Sequence, residues 1–303
     1  MTLEGFPIKY DKELSWLIGF WTGDNFSSRE GTVIRNGKRT SGRFGINSND
    51  TEIVKRAIEV MKIRLKQKKI RILVQIPQKC KVSKSKLCSQ TSKIFNINET
   101  MISVYRGSKW RRKIGYAAYV NNTELQRRFY IIYNSLQNLV EKETIKIRDF
   151  LQGIADAEGD VNKVSRLITL STKDKYVLNM IKTGLEKMKL DYSISKTKRD
   201  LYRVYIKDLK KFSGEIQFYC RRKQLNVDEI LKGNLMRTKD LEYMKLFMPY
   251  LKNGTTVRKL QEKTNLPYST IGIVLRNLRS GGVLRCQKIG RKNSGFTYFY
   301  TTI

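Results

Sequence analysis

An internal repeat constrains the fold of this chain more than any other feature. The stretch LIGFWTGDN at residues 17–25 recurs as LQGIADAEG at residues 151–159, so that Gly19 aligns with Gly153 and Asp24 with Glu158. Each copy is an apolar run, dotted with small residues, that ends in a carboxylate. Internal repetition on this scale predicts two related structural halves joined in one chain.

The similarity extends beyond the two stretches. Residues 46–65 resemble residues 170–190, and in each segment an aspartate, Asp50 or Asp174, precedes apolar residues at helical spacing. Strand-like runs flank each of these helices, the first pair joined at the turn signal Asn36-Gly37. We therefore predict an α+β fold in which each repeat runs helix, strand, strand, helix, strand, strand, helix. The repeats are expected at residues 1–140 and 141–235. A lysine-rich insertion at residues 78–104 is expected to form an exposed loop.

The pattern changes after residue 235. Residues 236–303 read as helix, helix, turn, helix and hairpin, with Gly281-Gly282 as a helix stop. This order predicts a winged helix-turn-helix, a DNA-binding unit. Its expected small core consists of Leu260, Leu266, Ile271, Leu275 and Leu278.

The spacing of small residues predicts what the two repeated helices do. Gly19 and Gly23 share one helix face, as do Gly153 and Ala157, and such pairs allow two helix backbones to approach closely. If the helices pack in parallel, their carboxyl ends meet. Asp24 and Glu158 then lie side by side where both helix dipoles are negative, which predicts a site for Mg²⁺, with Mn²⁺ able to substitute.

Charge indicates the class of partner. The chain has 61 Lys and Arg against 27 Asp and Glu, a formal net charge of +34, and such an excess repels itself unless a polyanion binds. Nucleic acid is the leading expectation. An anionic membrane surface is second, but we find neither an apolar run long enough to span a bilayer nor a basic amphipathic anchor.

The absence of histidine limits the chemistry. The sequence contains no His, which excludes Ser-His-Asp and Cys-His hydrolysis and His-metal nucleases. Its four cysteines form no CxxC pair, so we expect reduced thiols and no zinc site. The first residues lack the pattern of a signal peptide, which predicts an intracellular protein of a prokaryotic cytoplasm, a nucleoid or an organelle matrix. Any catalysis must use carboxylates, a metal, and Lys or Arg.

The two motifs resemble those of the LAGLIDADG homing endonuclease family in its single-chain, two-motif form. The second motif is the stronger match. The first departs at Thr22, where the family has Asp, and at Asn25, where it has Gly. Asn tolerates the left-handed conformation that ends a helix better than most residues. The resemblance covers about residues 10–235. It implies two pseudo-symmetric repeats whose saddle-shaped antiparallel sheets lie in the DNA major groove, with each half cutting one strand to leave 3′ overhangs.

The resemblance also implies particular site residues and a monomer that acts on double-stranded DNA. The implied metal site contains Gly23, Asp24, Asn25, Ala157 and Glu158. The segment FYCRRKQLN resembles the one that places a basic residue near the scissile phosphate, which nominates Arg221 and Lys223 as catalytic. The expected DNA contacts in the repeats are Arg29, Arg35, Lys38, Arg39, Arg43, Arg111, Arg112, Lys113, Asn162, Lys163, Ser165, Arg166, Lys198, Arg199 and Arg203, and those in the C-terminal unit are Ser269, Thr270, Arg276, Arg291 and Lys292.

Two other functions remain open at this stage. One is a non-catalytic DNA-binding regulator that combines a LAGLIDADG-like core with a C-terminal helix-turn-helix; retention of both acids argues against it. The other is an RNA maturase that assists intron splicing, since the positive charge suits RNA equally well. A chain without flanking splice residues favours an intron or a standalone gene as host over an intein. Metal-dependent nicking of duplex DNA separates the endonuclease from the non-catalytic regulator. RNA-dependent splicing assistance tests the maturase.

Overall fold

The structure is a computed structural model that describes residues 10–25, 34–35, 38–39, 42–107, 112–163, 165–232, 238–280, 283–290 and 296–302. Contacts between residues divide the chain into two compact units. The first comprises residues 1–161 and 167–224, and the second comprises residues 162–166 and 225–303. The second unit thus takes in residues before the expected boundary at 236. None of the described helices is long and apolar enough to cross a membrane.

The first half of the first unit is built around one four-stranded sheet. Its elements are α1 (Lys12–Gly23), β1 (Ile34–Arg35), β2 (Lys38–Arg39), β3 (Arg43–Ser48), α2 (Thr51–Ile63), β4 (Arg71–Ile76), α3 (Lys84–Phe95), a 3-10 turn (Glu99–Met101), β5 (Ile102–Arg106), β6 (Gly115–Asn121) and α4 (Thr123–Glu141). The sheet order is β3-β6-β4-β5, while β1 and β2 pair with each other. Asp11 starts α1 by accepting a hydrogen bond from the Leu14 backbone N–H at 3.0 Å.

The insertion at residues 78–104 is not an exposed loop, which corrects the prediction from its lysine content. It contains α3 and β5, and β5 pairs with β4 in parallel, so this sheet is not purely antiparallel. A parallel neighbour requires a crossover connection, and α3 provides it. Leu87 and Phe95 on α3 are buried, and the Phe95 ring packs edge-on against Tyr116 with centroids 5.2 Å apart. The helical spacing was present in the sequence, but frequent lysines and serines obscured it.

The second half of the first unit has a similar order of elements. They are α5 (Ile147–Glu158), β7 (Gly159–Asn162), β8 (Leu167–Thr172), α6 (Lys175–Lys187), β9 (Tyr192–Lys196), β10 (Tyr202–Ile206), α7 (Leu209–Glu215) and α8 (Arg221–Leu231), the last of which continues into the second unit. The sheet order is β7-β8-β10-β9, so β8-β10-β9 corresponds to β3-β6-β4. Asp174 caps α6 through the Tyr176 backbone N–H at 2.7 Å. Asp50 precedes α2 without a side-chain cap, because its carboxylate accepts from Arg222 instead.

The described residues of the second unit form three further helices and a three-stranded sheet. Its elements are α9 (Thr238–Leu251), β11 (Thr255–Thr256), α10 (Val257–Thr264), α11 (Tyr268–Ser280), β12 (Leu284–Gly290) and β13 (Phe296–Thr302), with sheet order β11-β13-β12. Leu260, Ile271, Leu275 and Leu278 are buried in its core, as expected, and Leu266 packs against it partly buried. The sequence pattern missed the two-residue strand β11.

Candidate metal and nucleic-acid site

The helices α1 and α5 pack backbone against backbone. A Cβ atom added at Gly19 would lie 2.0 Å from the carbonyl oxygen of Phe150, and one at Gly153 would lie 2.1 Å from that of Trp16. At the far end, a Cβ atom at Gly23 would lie 2.7 Å from the Cβ atom of Ala157. The contacts advance in the same direction along both helices, so the helices are parallel. Their carboxyl ends meet, as expected from the sequence for parallel packing of these helices.

This packing brings the two motif acids together. Asp24 is the C-cap of α1, and its backbone N–H donates to the Phe20 carbonyl oxygen at 2.9 Å. Glu158 is the last residue of α5. The pKa of Glu158 is raised to about 7, mainly by burial and also by the negative charge of Asp24, while the Lys223 ammonium opposes this rise. Two carboxylates that repel each other at two helix carboxyl ends form a site that favours a cation.

The surrounding oxygens fit a hard divalent cation. Asn47 on β3 donates its backbone N–H to the Asp24 carbonyl oxygen at 3.4 Å, and its side-chain Oδ1 is buried without a hydrogen-bond partner among the described residues. A buried acceptor left unsatisfied is one that an ordered water or ion can complete. The described residues include no cluster of three or more His, Cys, Asp or Glu side chains that could hold a metal. Two carboxylates completed by amide, carbonyl and water oxygens suit Mg²⁺ or Mn²⁺.

Asp156, which sequence reasoning did not nominate, secures α5 to its surroundings. It is 4% exposed and accepts hydrogen bonds from Trp16 Nε1 at 2.9 Å and from the backbone N–H groups of Cys220 at 3.0 Å and Tyr219 at 3.3 Å. Burial raises its pKa to about 6. The equivalent Thr22 instead donates to its own helix, to the Ile18 carbonyl oxygen at 2.8 Å. The sequence signal that could have identified Asp156 was its position inside an apolar helical run. A carboxylate buried at such a position requires hydrogen-bond donors.

Lys223 is buried next to the carboxyl end of α5. It is 7% exposed, and its Nζ donates to the carbonyl oxygens of Asp156 at 2.6 Å and Ala155 at 3.1 Å. Burial lowers its pKa. The ammonium thus satisfies carbonyl groups at the end of α5 and opposes the rise in the Glu158 pKa, whereas the resemblance implied a side chain facing phosphate. Arg221 is exposed, and its backbone N–H donates to Glu52 Oε1 at 2.7 Å. The catalytic roles of both residues remain predictions.

Arg56 is a second buried cation that sequence reasoning did not identify, and it joins α2 to α1 and α5. The Arg56 guanidinium lies between the rings of Trp16 and Tyr219, 4.2 and 4.3 Å from their centroids. Its Nε donates to Glu13 Oε2 and its Nη1 to Gln152 Oε1, both at 2.9 Å. A buried guanidinium is tolerated only when its donors and charge are matched in this way. The arrangement holds α1, α2, α5 and the segment before α8 together.

A cavity of about 580 Å³ opens beside Glu158. Glu158 and Gly23 line it, and Lys173 supplies the basic side chain of the lining. The remaining lining residues are Trp21, Thr22, Asn25, Tyr130, Tyr133, Ser171, Thr172, Asp174, Val177 and Leu201. The space can admit a phosphodiester group beside the Glu158 carboxylate.

The predicted DNA-contact residues are distributed over both units. Those with exposed side chains are Arg43, Arg112, Lys113, Asn162, Ser165, Lys198, Arg199, Arg203, Ser269 and Arg276, while Thr270 and Arg166 are half-buried. Lys163 is paired with Glu229, and Asn162 Oδ1 accepts from the Ser165 backbone N–H at 3.0 Å. Arg29, Arg111, Arg291 and Lys292 lie outside the described residues, and only the backbone is described for Arg35, Lys38 and Arg39.

Strand register adds residues that sequence reasoning missed. In the first sheet, Asn47 pairs with Ala117, Ala117 with Leu73, and Leu73 with Ser103, so these side chains share one face. By the same register, Arg43, Arg71, Gln75 and Tyr105 lie on that face. In the second sheet, Arg203 pairs with both Ser171 and Ser195. The apolar residues Ile72, Val74 and Ile76 at every second position of β4 were the sequence signal that could have placed Arg71 and Gln75 on the opposite, less buried face.

The raised pKa of Glu158 predicts how stability depends on pH. Its ordinary value is 4.5, so between about 4.5 and 7 the folded protein holds a proton that the unfolded chain has released. The free energy of unfolding should therefore fall as pH rises through this window. Metal-free protein should melt at a lower temperature at pH 8 than at pH 5, and Mg²⁺ should raise the midpoint more at pH 8, where no proton competes for the carboxylate.

Thermal unfolding of Glu158→Gln beside the exposed control Glu59→Gln checks this. The first variant should lose part of the pH dependence and most of the Mg²⁺ effect, whereas the control should keep both. Identical pH profiles for the two variants would contradict the assignment to Glu158.

Comparisons with known proteins show what this chain is similar to. A family model, described as the LAGLIDADG-like domain, matches residues 146–217 of this chain. No curated protein sequence matches the chain. A structure of I-DmoI in complex with DNA and Mn is similar to this chain at 18% sequence identity and a TM-score of 0.45, over 68% of this chain and 96% of that one.

Two further solved structures are similar at lower scores. The N-terminal LAGLIDADG domain of DUF199/WhiA has 14% identity and a TM-score of 0.39, over 70% of this chain and 84% of that one. A possible transcriptional regulator from Methanosarcina mazei Go1 has 22% identity and a TM-score of 0.22, over 29% of this chain and 72% of that one. The chain thus contains a LAGLIDADG-like domain at residues 146–217, which includes Glu158 and its helix α5.

Proposed function

We propose that this protein is a site-specific endonuclease that cuts both strands of a long DNA target by divalent-metal-dependent phosphodiester hydrolysis, leaving 3′ overhangs. The observation that carries the proposal is the meeting of Asp24 and Glu158 at the carboxyl ends of two parallel helices, where Asp24 raises the pKa of Glu158. The LAGLIDADG-like domain at residues 146–217 supports it, as does a net charge of +34.

Each part of the site has a role in this proposal. Asp24 and Glu158 hold the metal, Mg²⁺ or Mn²⁺, which when bound supplies an activated water and stabilises the leaving oxygen. The unsatisfied Asn47 Oδ1 orients a water, and the cavity beside Glu158 receives the phosphodiester. Lys223 keeps the end of α5 in place through two carbonyl oxygens. Because these two hydrogen bonds hold the end of α5 that carries Glu158, little reorganisation of the site is expected during the reaction.

The two sheets are proposed to lie in the major groove, each contacting half of the target. Each six-residue strand spans about 20 Å, which is comparable to a half-turn of duplex. The exposed side chains of Arg43, Arg71 and Arg203 are suited to guanine or phosphate. Two motifs in one chain serve the two DNA strands, so the protein is proposed to act as a monomer.

The second unit is proposed to be a winged helix-turn-helix that adds a further DNA contact. Its element order, with α10 and α11 followed by the β12–β13 hairpin, supports this. On α11, Ser269 and Arg276 are exposed, as a helix entering a groove requires. Arg291 and Lys292 are proposed to contact the neighbouring backbone from between β12 and β13.

Cleavage of a randomised duplex library tests both parts of the proposal. With Mg²⁺, sequencing the products of the full chain should recover one long site with staggered ends. A chain that ends near residue 235 should cut at the same position but specify a shorter sequence, because the contribution of the single second unit is lost from one side only. Failure of the full chain to cut any duplex would refute the nuclease, and an unchanged site after truncation would refute DNA contact by the second unit.

A non-catalytic DNA-binding protein is the second candidate. The observation that favours it is that the described site offers two carboxylates and no cluster of three or more potential metal-ligating side chains. Binding without metal-dependent nicking of the recovered sequence would support this function.

A further inference from the structure

One end of the first sheet gathers segments that are far apart in the chain. The strands β4 and β5 run in parallel and finish together, since Ile76 pairs with Arg106. The strand β6 runs the opposite way, and its first residue, Gly115, pairs with Gln75 near the end of β4. The loop that leads to α3, the end of β5 and the start of β6 therefore share this end of the sheet.

Positive charge is concentrated there. The loop after β4 and the first turn of α3 carry four exposed lysines, and the Arg106 guanidinium donates to the Gln78 carbonyl oxygen at 2.8 Å, which ties this loop to the end of β5. We name the group the basic rim; it consists of Lys79, Lys81, Lys84, Lys86 and Arg106. Residues 77–98 contain no Asp or Glu, and no ion pair to these lysines occurs among the residues that the structure describes.

The basic rim is separate from the site of the two acids. The sheet order β3-β6-β4-β5 places β5 at the edge opposite β3, and β3 is the strand whose Ile46 forms a bridge with Asn25. Three strand spacings, about 14 Å, separate these edges. The second sheet ends at β9, and the described elements around it include no counterpart of α3 or β5. The rim is therefore an addition to one half of the first unit.

Protection of an exposed sheet edge does not explain the rim. Proteins guard such edges by placing charge on the edge strand itself, but β5, with the sequence ISVYR, carries one cation and leaves Tyr105 59% exposed. The lysines instead follow β4 and begin α3, beside the exposed Arg112 and Lys113 that precede β6. This acid-free positive surface thus continues from Arg112 and Lys113, two exposed residues that are expected DNA contacts from the sequence analysis.

We propose that the basic rim binds the phosphate backbone of duplex DNA, on the flank of the half-site contacted by the first sheet. This inference rests on the proposed function and adds to it an asymmetric extension of the target. Lysine contacts to phosphate release counterions, so they strengthen binding without selecting bases. The rim accordingly contributes affinity and length of contact and does not change where the strands are cut.

A pair of charge-matched triple variants tests the proposal on the full chain. The first is Lys81→Gln, Lys84→Gln and Lys86→Gln. The control is Lys12→Gln, Lys142→Gln and Lys146→Gln, three exposed lysines, two of which lie next to the starts of α1 and α5, away from the acids. Both sets lower the net charge equally, and Gln keeps a similar helix propensity.

Affinity for the target duplex is measured against salt concentration, together with a footprint and the cut position. The rim variant should bind about 10- to 100-fold more weakly near 0.1 M salt, with a salt slope shallower by up to roughly 2.7 units, while the control stays within about threefold. Its footprint should shorten on one side, and its cut should not move.

Each other outcome has a distinct meaning. A rim variant that binds like the control overturns this proposal and leaves the nuclease intact. A rim variant that loses affinity for structured RNA but not for duplex DNA overturns the assignment of DNA as the partner. A parent chain that neither binds nor cuts duplex DNA overturns the proposed function and the rim proposal together.

Discussion

Asp24→Asn and Glu158→Gln should each abolish double-strand cleavage while leaving the protein folded and bound to its target. Each change removes one carboxylate charge from the proposed metal site, where two carboxylates meet at helix ends. The loss should reach about three orders of magnitude, equivalent to roughly 4 kcal/mol in the activation barrier. Target affinity should stay within about tenfold, or roughly 1.4 kcal/mol, because phosphate and groove contacts supply most of it.

Asp160→Asn is the matched control for these variants. Asp160 is exposed on β7, two residues beyond Glu158, so its loss removes one nearby charge without touching the acid pair. This variant should cut within a few-fold of the parent. Strand-resolved gels separate nicking from double-strand cutting. A variant that still nicks one strand would show that each acid serves its own strand, and two variants that cut like the parent would refute the metal assignment.

Gly153→Ala should separate the helix pair and so remove both stability and cleavage. The added methyl group would lie 2.1 Å from the Trp16 carbonyl oxygen and 2.6 Å from the Phe20 backbone nitrogen, and backbone atoms cannot rotate away as a side chain would. Overpacking of this kind costs about 1–3 kcal/mol and occasionally more, and the upper end is expected here. The midpoint of denaturant unfolding measures the loss. Cleavage should fall with it, because Asp24 and Glu158 move apart.

Gly214→Ala supplies the control for a helical glycine in the same unit. No atom lies within 4 Å of a Cβ added at Gly214, which is in α7. Replacing this glycine should therefore be neutral or stabilise the protein by up to about 1 kcal/mol, through the higher helix propensity of alanine. Equal destabilisation by the two substitutions would contradict the close approach of α1 and α5.

The sequence by itself determined the features that depend on local spacing and repetition. The four-residue separation of Gly19 and Gly23, repeated at Gly153 and Ala157, predicted two helices in close contact. If such helices are parallel, as an internal repeat favours, Asp24 and Glu158 are expected to meet. Helical and strand periodicity likewise placed most elements of the first unit. These predictions succeeded because periodicity reports which face of an element is buried, and a repeat transfers that information to the other half.

Only the tertiary structure decided which distant residues became partners. The Asp156 carboxylate accepts a hydrogen bond from the Cys220 backbone N–H, and Lys223 donates to a carbonyl oxygen at the end of α5. The Arg56 guanidinium lies against the Trp16 ring, and β5 pairs with β4 in parallel after a lysine-rich crossover. Periodicity carries no information on such pairings, since a polar side chain in a helix looks the same in sequence whether it faces solvent or a buried partner. The partner is selected by the complete arrangement of elements, because each buried charge or polar group must find donors or acceptors that folding itself brings near.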